Sequence, residues 1–314
     1  MRDAQNAINL VCKTREKSDI TKAQMTINAL NDSDKKKLSK ILSNLEYYFE
    51  KEKTVETNLN QLKNKVTEQN LEKTKNSLKA LTSSEILQDP HIQKENKNLE
   101  KILNSYYKQY ENKLKNKKLI ALTFDDGPNP DTTPQLLDIL DTKKIPVTFF
   151  ALGENAQKYP EIIAKEAQKG HEVASHTWDH SDLKTLTKGK QKEEILKANQ
   201  LINKITGQDI TLFRPPYGSY DQSTLQLTPL TAVLWSVDTN DWQYNNSTPV
   251  IQNAISSTYN GAILLLHDIH PWSVEAVPTI IDELSQEGYT FVTVSTLLKL
   301  QNNNSIKPHT AYFD

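Results

Sequence analysis

Residues 119–128 read LIALTFDDGP, a largely apolar run that ends in two adjacent aspartates, a glycine and a proline. A short run of this composition predicts a buried β-strand, and Gly127 and Pro128 predict the turn that ends it. Further runs of the same kind follow at residues 147–151, 172–175, 211–213, 232–237, 262–266 and 290–294. Together with residues 119–124, they give seven predicted strands.

Amphipathic stretches lie between most of the predicted strands, at residues 134–143, 161–169, 190–205, 250–257 and 275–286. Apolar strands that alternate with helices predict a parallel sheet covered by helices. Seven strands favour a (β/α) barrel, whereas an open doubly wound sheet is the alternative because periodicity does not show whether a sheet closes. In either fold, functional side chains are expected at the carboxyl ends of the strands.

The N-terminal part of the chain has a different composition. Residues 1–117 contain one proline and no glycine, are rich in Lys, Glu and Asn, and place apolar residues at helical spacing. Six positions between Ile20 and Ser33 match six between Leu71 and Ser84 at a constant offset of 51 residues. We therefore predict an all-α bundle of two related helical hairpins at residues 1–116, serving either as a spacer or as a binding module.

The remaining domain bounds follow from the strand pattern. We predict a catalytic domain at residues 117–303 and a C-terminal tail at residues 304–314. The chain of 314 residues is long enough for one large and one smaller unit.

Composition excludes several classes of protein. The formal net charge of −1 gives no basic excess for binding nucleic acid or an anionic bilayer. Cys12 is the single cysteine, which excludes an internal disulfide and a Cys-rich zinc site. The longest apolar run, Ala262 to Leu266, is too short to span a membrane, and the start of the chain lacks the apolar core of a signal peptide. We expect a soluble monomer, with any export signal or anchor absent from this chain.

Two motifs at predicted strand ends suggest a metal site. Asp125 and Asp126 repel each other, so a cation or a base role would stabilise them, although a polar turn explains them equally well. His176 and His180 follow the run ending at Ser175 and can face one cation from a single turn. Two histidines and Asp126 would form a three-ligand set, which leaves coordination positions open as catalytic sites do.

Three more strand ends carry polar residues. Residues 214–218 read RPPYG, residues 238–242 read DTNDW, and residues 265–267 read LLH. Each has an ordinary structural explanation, such as a surface arginine or a capping aspartate. All three motifs lie at strand ends, and together they supply a fixed cation, carboxylates and an imidazole. These are groups that amide hydrolysis requires.

The motifs TFDDG (123–127), HTxxH (176–180), RPPY (214–217), DxxDW (238–242) and LxH (265–267) resemble, in order, the five motifs of the NodB-homology polysaccharide deacetylases, carbohydrate esterase family four. The resemblance covers about residues 117–300. It implies a distorted (β/α) barrel and removal of an N-acetyl group from N-acetylglucosamine-type residues in a bacterial cell-wall glycan. It also implies a protein that is extracellular or associated with the wall of a Gram-positive bacterium.

The resemblance also implies roles for individual residues. Asp126, His176 and His180 would bind one divalent metal ion, and this ligand set suits Zn²⁺ best but also accepts Co²⁺, Ni²⁺, Fe²⁺ or Mn²⁺. The implied catalytic residues are the base Asp125, the acid His267, their partners Arg214 and Asp241, and Tyr217, whose backbone N–H would stabilise the oxyanion. The implied substrate-binding residues are Trp242, Leu265 and Pro215.

Two other functions fit the same motifs. A metal-dependent amidase with a non-glycan substrate would need the same groups. A glycan-binding protein built on an inactive barrel would be expected to have lost at least one of them, and the base, the acid and three ligands are all present.

Overall fold

The computed structural model describes residues 1–82, 90–303 and 305–313. Its N-terminal region is helical, as predicted. The helices are α1 Arg2–Thr14, α2 Lys17–Asn28, α3 Asp32–Asn64, α4 Glu68–Thr82 and α5 Pro90–Leu114. The two related segments of the predicted repeat lie mainly in α2 and α4, and Ser84 lies outside the described residues.

Apolar spacing and capping explain these helices. In α1, Ala4, Ile8 and Val11 are buried at intervals of three and four residues, which places them on one face. The side chain of Asn31 accepts a hydrogen bond from the backbone N–H of Asp34 and so caps the first turn of α3.

Strands alternate with helices in the second part of the chain. The strands are β1 Lys118–Asp125, β2 Thr148–Ala151, β3 Glu172–Ser175, β4 Leu212–Phe213, β5 Thr231–Val233, β6 Val237–Asp238, β7 Ile263–His267, β8 Tyr289–Phe291 and β9 Ala311–Tyr312. The helices are α6 Thr133–Lys143, α7 Gly153–Lys158, α8 Pro160–Gln168, α9 Lys188–Thr206, α10 Gln222–Leu225, α11 Ser247–Ser257, α12 Pro271–Gln286 and α13 Val294–Gln301.

The strands form one parallel sheet in the order β6-β7-β1-β2-β3-β4-β5-β9, and β8 also pairs with β1. Every residue of β1 after Lys118 and every residue of β2 is buried, as expected for strands covered by helices. Phe124 and Phe149 stack at a ring-centroid distance of 5.7 Å inside this core. The predicted distorted barrel of parallel strands, preceded by helices, is confirmed.

Two predicted strands differ in detail. The run at residues 232–237 is two strands, because the chain leaves β5 at Val233 and joins β7 through β6. The side chain of Arg214 binds the backbone where β5 ends. Its Nε and Nη2 atoms donate hydrogen bonds to the carbonyl oxygens of Val233 and Leu234. The last predicted strand ends at Phe291, and Val294 already begins α13.

The chain divides into two compact units. One unit comprises residues 1–66 and 74–108, and the other comprises residues 67–73 and 109–314. Strand β9, in the segment predicted as a tail, pairs with β5 in this second unit. The predicted domain bounds at 1–116, 117–303 and 304–314 stay predictions. Among the described helices, none combines the length and hydropathy that crossing a membrane requires.

Glu68, in the first turn of α4, is a buried carboxyl group of the second unit. Its Oε1 accepts hydrogen bonds from the backbone N–H of Thr293 at 3.2 Å and from the Thr293 hydroxyl at 2.5 Å. Its Oε2 accepts a hydrogen bond from the hydroxyl of Tyr110 at 3.2 Å. Burial raises the pKa of Glu68 to about 7, although the hydrogen bonds from Thr293 act against the rise.

Candidate active site

The register of the sheet aligns two of the predicted site residues. Asp125 ends β1, and in the pairing of β1 with β7 it lies opposite His267, the last residue of β7. On its other side, Asp125 lies opposite Phe150 of β2. Because all of these strands are parallel, the polar residues that follow them gather at one edge of the sheet.

The backbone is strained at this edge. Several non-glycine residues that follow strands have positive φ angles: Asp126 (73°), Thr177 (68°), His180 (65°), Tyr217 (59°) and Asn240 (54°). Such conformations are uncommon, above all for a β-branched residue such as threonine, and they persist only where surrounding contacts enforce them. The turns that carry the candidate site residues are therefore held by the rest of the structure.

Asp126, His176 and His180 come together as predicted. One ligand atom from each lies within 4.8 Å of the others. The Oδ1 atom of Asp126 lies 3.5 Å from Nε2 of His176 and 3.5 Å from Nε2 of His180. This oxygen is buried, and it has no hydrogen-bond partner within the part of the chain that the structure describes. An orphaned carboxylate oxygen between two imidazole nitrogens fits a bound cation.

Both histidines have a partner on the other ring nitrogen. Nδ1 of His176 lies 2.8 Å from the carbonyl oxygen of Arg214, to which it donates, so Nε2 is left to face Asp126. Burial lowers the pKa of His176 to about 3, which keeps this imidazole neutral. Nδ1 of His180 lies 3.1 Å from the hydroxyl oxygen of Tyr217. A neutral, oriented imidazole such as that of His176 is the form that binds metals.

Asp125 and Arg214 form a buried ion pair. Nη1 of Arg214 donates to Oδ1 of Asp125 at 2.7 Å and to the hydroxyl of Thr123 at 2.8 Å. The other guanidinium nitrogens donate to the carbonyl oxygens of Val233 and Leu234 at 3.1 and 2.9 Å. Burial raises the pKa of Asp125, and the charge of Arg214 acts against this rise. The guanidinium is thereby fixed in one orientation towards a single carboxylate.

His267 and Asp241 form a second pair. Nδ1 of His267 lies 2.8 Å from Oδ1 of Asp241, whose Oδ2 accepts hydrogen bonds from the His267 backbone N–H and the Ser273 hydroxyl. The indole of Trp272 donates to the Asp241 carbonyl oxygen at 2.8 Å. Burial disfavours the charged imidazole. The hydrogen bond and charge of Asp241, together with the charges of Asp125 and Asp126, outweigh the effect of burial and raise the pKa of His267 to about 9. His267 is therefore protonated at neutral pH.

The predicted substrate-binding residues and the predicted catalytic residue Tyr217 differ in exposure. Tyr217 is 69% exposed and Trp242 is 56% exposed, which is high for aromatic side chains. Leu265 is only 3% exposed, and Pro215 is buried. The two exposed rings are free to contact a ligand, whereas the burial of Leu265 and Pro215 also fits core packing. The substrate contacts of Trp242, Leu265 and Pro215, and the catalytic role of Tyr217, stay predictions.

Sequence reasoning missed several residues that support the site. Ser273 holds Asp241, Asn155 donates to the carbonyl oxygen of Asp126 at 2.8 Å, and Glu194 binds the turn that follows β3. All three lie on helices, so the strand-end rule did not reveal them. The periodicity of α9 held a signal for Glu194, because this charged residue lies next to the buried Gln191 and Ile195 on one face.

Comparisons with known proteins identify the family of this chain. A model of the polysaccharide deacetylase family matches residues 112–232. A peptidoglycan-N-acetylglucosamine deacetylase of Bacillus cereus is 35% identical over 195 residues, which cover 60% of this chain and 91% of that protein. The chain therefore belongs to the polysaccharide deacetylase family.

Two longer relatives have related names. The peptidoglycan-N-acetylglucosamine deacetylase PgdA of Listeria monocytogenes is 38% identical over 185 residues, 59% of this chain and 40% of that protein. The peptidoglycan-N-acetylmuramic acid deacetylase PdaC of Bacillus subtilis is 38% identical over 192 residues, 61% of this chain and 41% of that protein. The chain thus spans about two fifths of the length of these relatives.

The solved structure of the Bacillus subtilis deacetylase PdaC is similar to this chain. The TM-score is 0.58 at 39% identity, and the match covers 60% of this chain and 93% of the solved one.

Proposed function

We propose that this chain removes the N-acetyl group from N-acetylglucosamine-type residues of a bacterial cell-wall glycan and releases acetate. One observation carries the proposal: three potential metal ligands, a buried Asp125–Arg214 pair and a His267–Asp241 pair lie at one edge of the sheet. Together they provide a cation site, a proton acceptor and a proton donor, which amide hydrolysis requires. The names of the relatives support the class of substrate.

Asp126, His176 and His180 would hold one divalent ion. Two imidazoles and one carboxylate suit Zn²⁺ best and also accept Co²⁺, Ni²⁺, Fe²⁺ or Mn²⁺. When bound, such an ion supplies Lewis acidity at the edge of the sheet, where the acetamide carbonyl would lie.

Asp125 is the proposed general base. It takes a proton from the attacking water while the oxygen of that water bonds to the acetamide carbon. Arg214 orients the carboxylate through the 2.7 Å hydrogen bond, and its own position is fixed by two backbone carbonyl groups. The negative charge that develops on the carbonyl oxygen would be stabilised by the backbone N–H of Tyr217.

His267 is the proposed general acid. Its proton passes to the amide nitrogen as the C–N bond breaks, which leaves acetate and a free sugar amine. Because Asp241 and the nearby aspartate charges raise the pKa of His267 to about 9 against the effect of burial, the imidazolium is available at neutral pH. Trp242, Leu265 and Pro215 would receive the acetyl methyl group and the adjacent sugar face.

The name of the Bacillus subtilis relative favours a second candidate substrate, the N-acetylmuramic acid residue of the same polymer. Mass spectrometry of defined wall fragments before and after incubation tests both candidates. We expect the loss of one acetyl mass from N-acetylglucosamine. Loss from N-acetylmuramic acid would favour the second candidate, and loss from neither would contradict the proposed activity.

Location follows from the substrate. We propose that the chain acts outside the cell, at the wall of a Gram-positive bacterium, as a monomer. The names of the wall-polymer deacetylases among its relatives support the location at the wall.

A further inference from the structure

The turn that carries both candidate histidine ligands is strained. Thr177 and His180 have φ angles of 68° and 65°, and Trp178 and Asp179 lie between them. Left-handed conformations at two non-glycine residues within four positions are unfavourable, so this turn needs external contacts to keep its shape. The direction of His180 depends on that shape, because His180 is itself one of the strained residues.

Glu194 of α9 supplies a contact at the centre of the turn. Its Oε2 atom accepts hydrogen bonds from the backbone N–H groups of Trp178 at 3.0 Å and of Asp179 at 3.1 Å. These are the two residues between the strained positions. A carboxylate that accepts two backbone N–H groups forms charge-assisted hydrogen bonds, which are about twice as strong as neutral ones.

The beginning of α7 holds the opposite side of the same turn. The backbone N–H groups of Gly153 and Glu154 donate to the carbonyl oxygens of Thr177 and Trp178, each at 2.9 Å. A Cβ atom at Gly153 would lie 2.4 Å from the indole of Trp178, so the absence of a side chain allows this close approach. Thus α7 binds carbonyl groups of the turn, whereas Glu194 binds its N–H groups.

We propose that Glu194 is a positioning residue that fixes the strained turn so that His176 and His180 both face Asp126. The inference rests on the proposed metal site. Glu194 binds the residues between the two ligands, through the backbone N–H groups of Trp178 and Asp179, and it also interacts with the side chain of Asp179. Its removal is therefore expected to weaken metal binding, while the fold of the sheet, which has its own apolar core, is retained.

Residue 193 offers a matched control. Glu193 is the neighbour of Glu194 on the same helix, but it is exposed and pairs with Lys190 within the helix. Glu193→Ala removes the same number of atoms and the same charge without touching the turn. Glu194→Gln is the conservative variant, because an amide oxygen still accepts the two hydrogen bonds but carries no charge.

The experiment measures the zinc dissociation constant of the full chain by competition with a chromophoric chelator, together with thermal unfolding of the metal-free protein. We expect Glu194→Ala to weaken zinc binding about 10- to 100-fold, as outer-sphere substitutions do. Glu194→Gln should recover most of the affinity, and Glu193→Ala should match the wild type. Unfolding of the metal-free Glu194→Ala protein should stay cooperative.

Two results would overturn the inference, and they are distinguishable. Tight zinc binding by the wild type and by Glu194→Ala alike would refute the role of Glu194 and leave the proposed function intact. A wild-type chain that bound no divalent ion would overturn the proposed metal site and the inference with it.

Discussion

The Asp125–Arg214 and His267–Asp241 pairs meet where Asp125 and His267 lie opposite each other on neighbouring strands. The anion and the cation have opposite roles in the two pairs. In the first pair, the cation is fixed by three further hydrogen-bond acceptors and the carboxylate is the proposed reactive group. In the second pair, the carboxylate is fixed by two further donors and the cation is the proposed reactive group. In each pair, the partner with more additional hydrogen bonds orients, and the other takes part in proton transfer.

The largest effect is expected from the reactive members. Asp125→Asn removes the proton acceptor and His267→Ala removes the proton donor, so each should lower kcat by about 10² to 10⁴. Neither should reduce metal content, whereas Asp126→Ala should reduce both metal content and kcat. Turnover assays and elemental analysis test this. If Asp125→Asn lost the metal and Asp126→Ala retained it, the roles of these two aspartates would be reversed.

Substitution of Arg214, the orienting member of the first pair, should lower the free energy of unfolding. Arg214→Met leaves the Asp125 carboxyl buried without its cation, which should lower the free energy of unfolding by about 3–5 kcal/mol. The same substitution in an Asp125→Asn background should lower it by less, because no buried charge is left unpaired. Denaturant unfolding of the four proteins gives the coupling. Equal losses in both backgrounds would argue against an ion pair.

Substitution of Asp241, the orienting member of the second pair, should change the pH dependence of kcat/KM. Burial opposes the charged form of His267, but the hydrogen bond and charge of Asp241, together with the charges of Asp125 and Asp126, raise its pKa to about 9. The value of kcat/KM should therefore hold at neutral pH and fall as pH rises through that value. Asp241→Asn should move this alkaline limb down by about one to three pH units. Asp238→Asn is the control, since Asp238 binds the backbone N–H of Asn240. An unmoved limb in Asp241→Asn would contradict the assignment of the acid.

The smallest effect on activity is expected from Ser273, which contacts Asp241. Ser273→Ala removes one hydrogen bond from Asp241 and leaves the two from His267. The loss of a single hydrogen bond corresponds to about 0.5–1.5 kcal/mol, so kcat should fall by about two- to tenfold. A loss as large as that of Asp241→Asn would show that the serine does more than orient the carboxylate.

The sequence predicted the sheet well because buried parallel strands have a distinctive composition. Strand β3 has the predicted bounds, and β1 and β7 differ from prediction by one residue at each end. The break between β5 and β6 was not predictable from a local pattern. It involves the side chain of Arg214, which lies 19 positions before Val233 and 20 positions before Leu234 in the sequence. A run of apolar residues carries no sign that a distant guanidinium will bind its carbonyl groups.

The candidate site was predictable in part: the residues that follow strands could be named, and the supporting residues on helices could not. Residues that follow strands, such as Asp126 and His176, could be named because strand ends of a parallel sheet converge. Ser273 and Glu194 could not be named, because their contacts join helices to turns far away in sequence. No spacing rule covers such contacts, although a charged residue on the buried face of α9 was a usable signal.

The hydrogen bonds of Glu68 join a residue that precedes the matched family region to a residue near the end of the sheet. The family region begins at residue 112, yet Glu68 supplies the acceptor for the backbone N–H and hydroxyl of Thr293 at the start of α13. A crossover at residue 112 would exchange this acceptor, and each buried donor left unpaired costs about 1–3 kcal/mol. A different segment joined at residue 112 would therefore have to supply its own acceptor for Thr293.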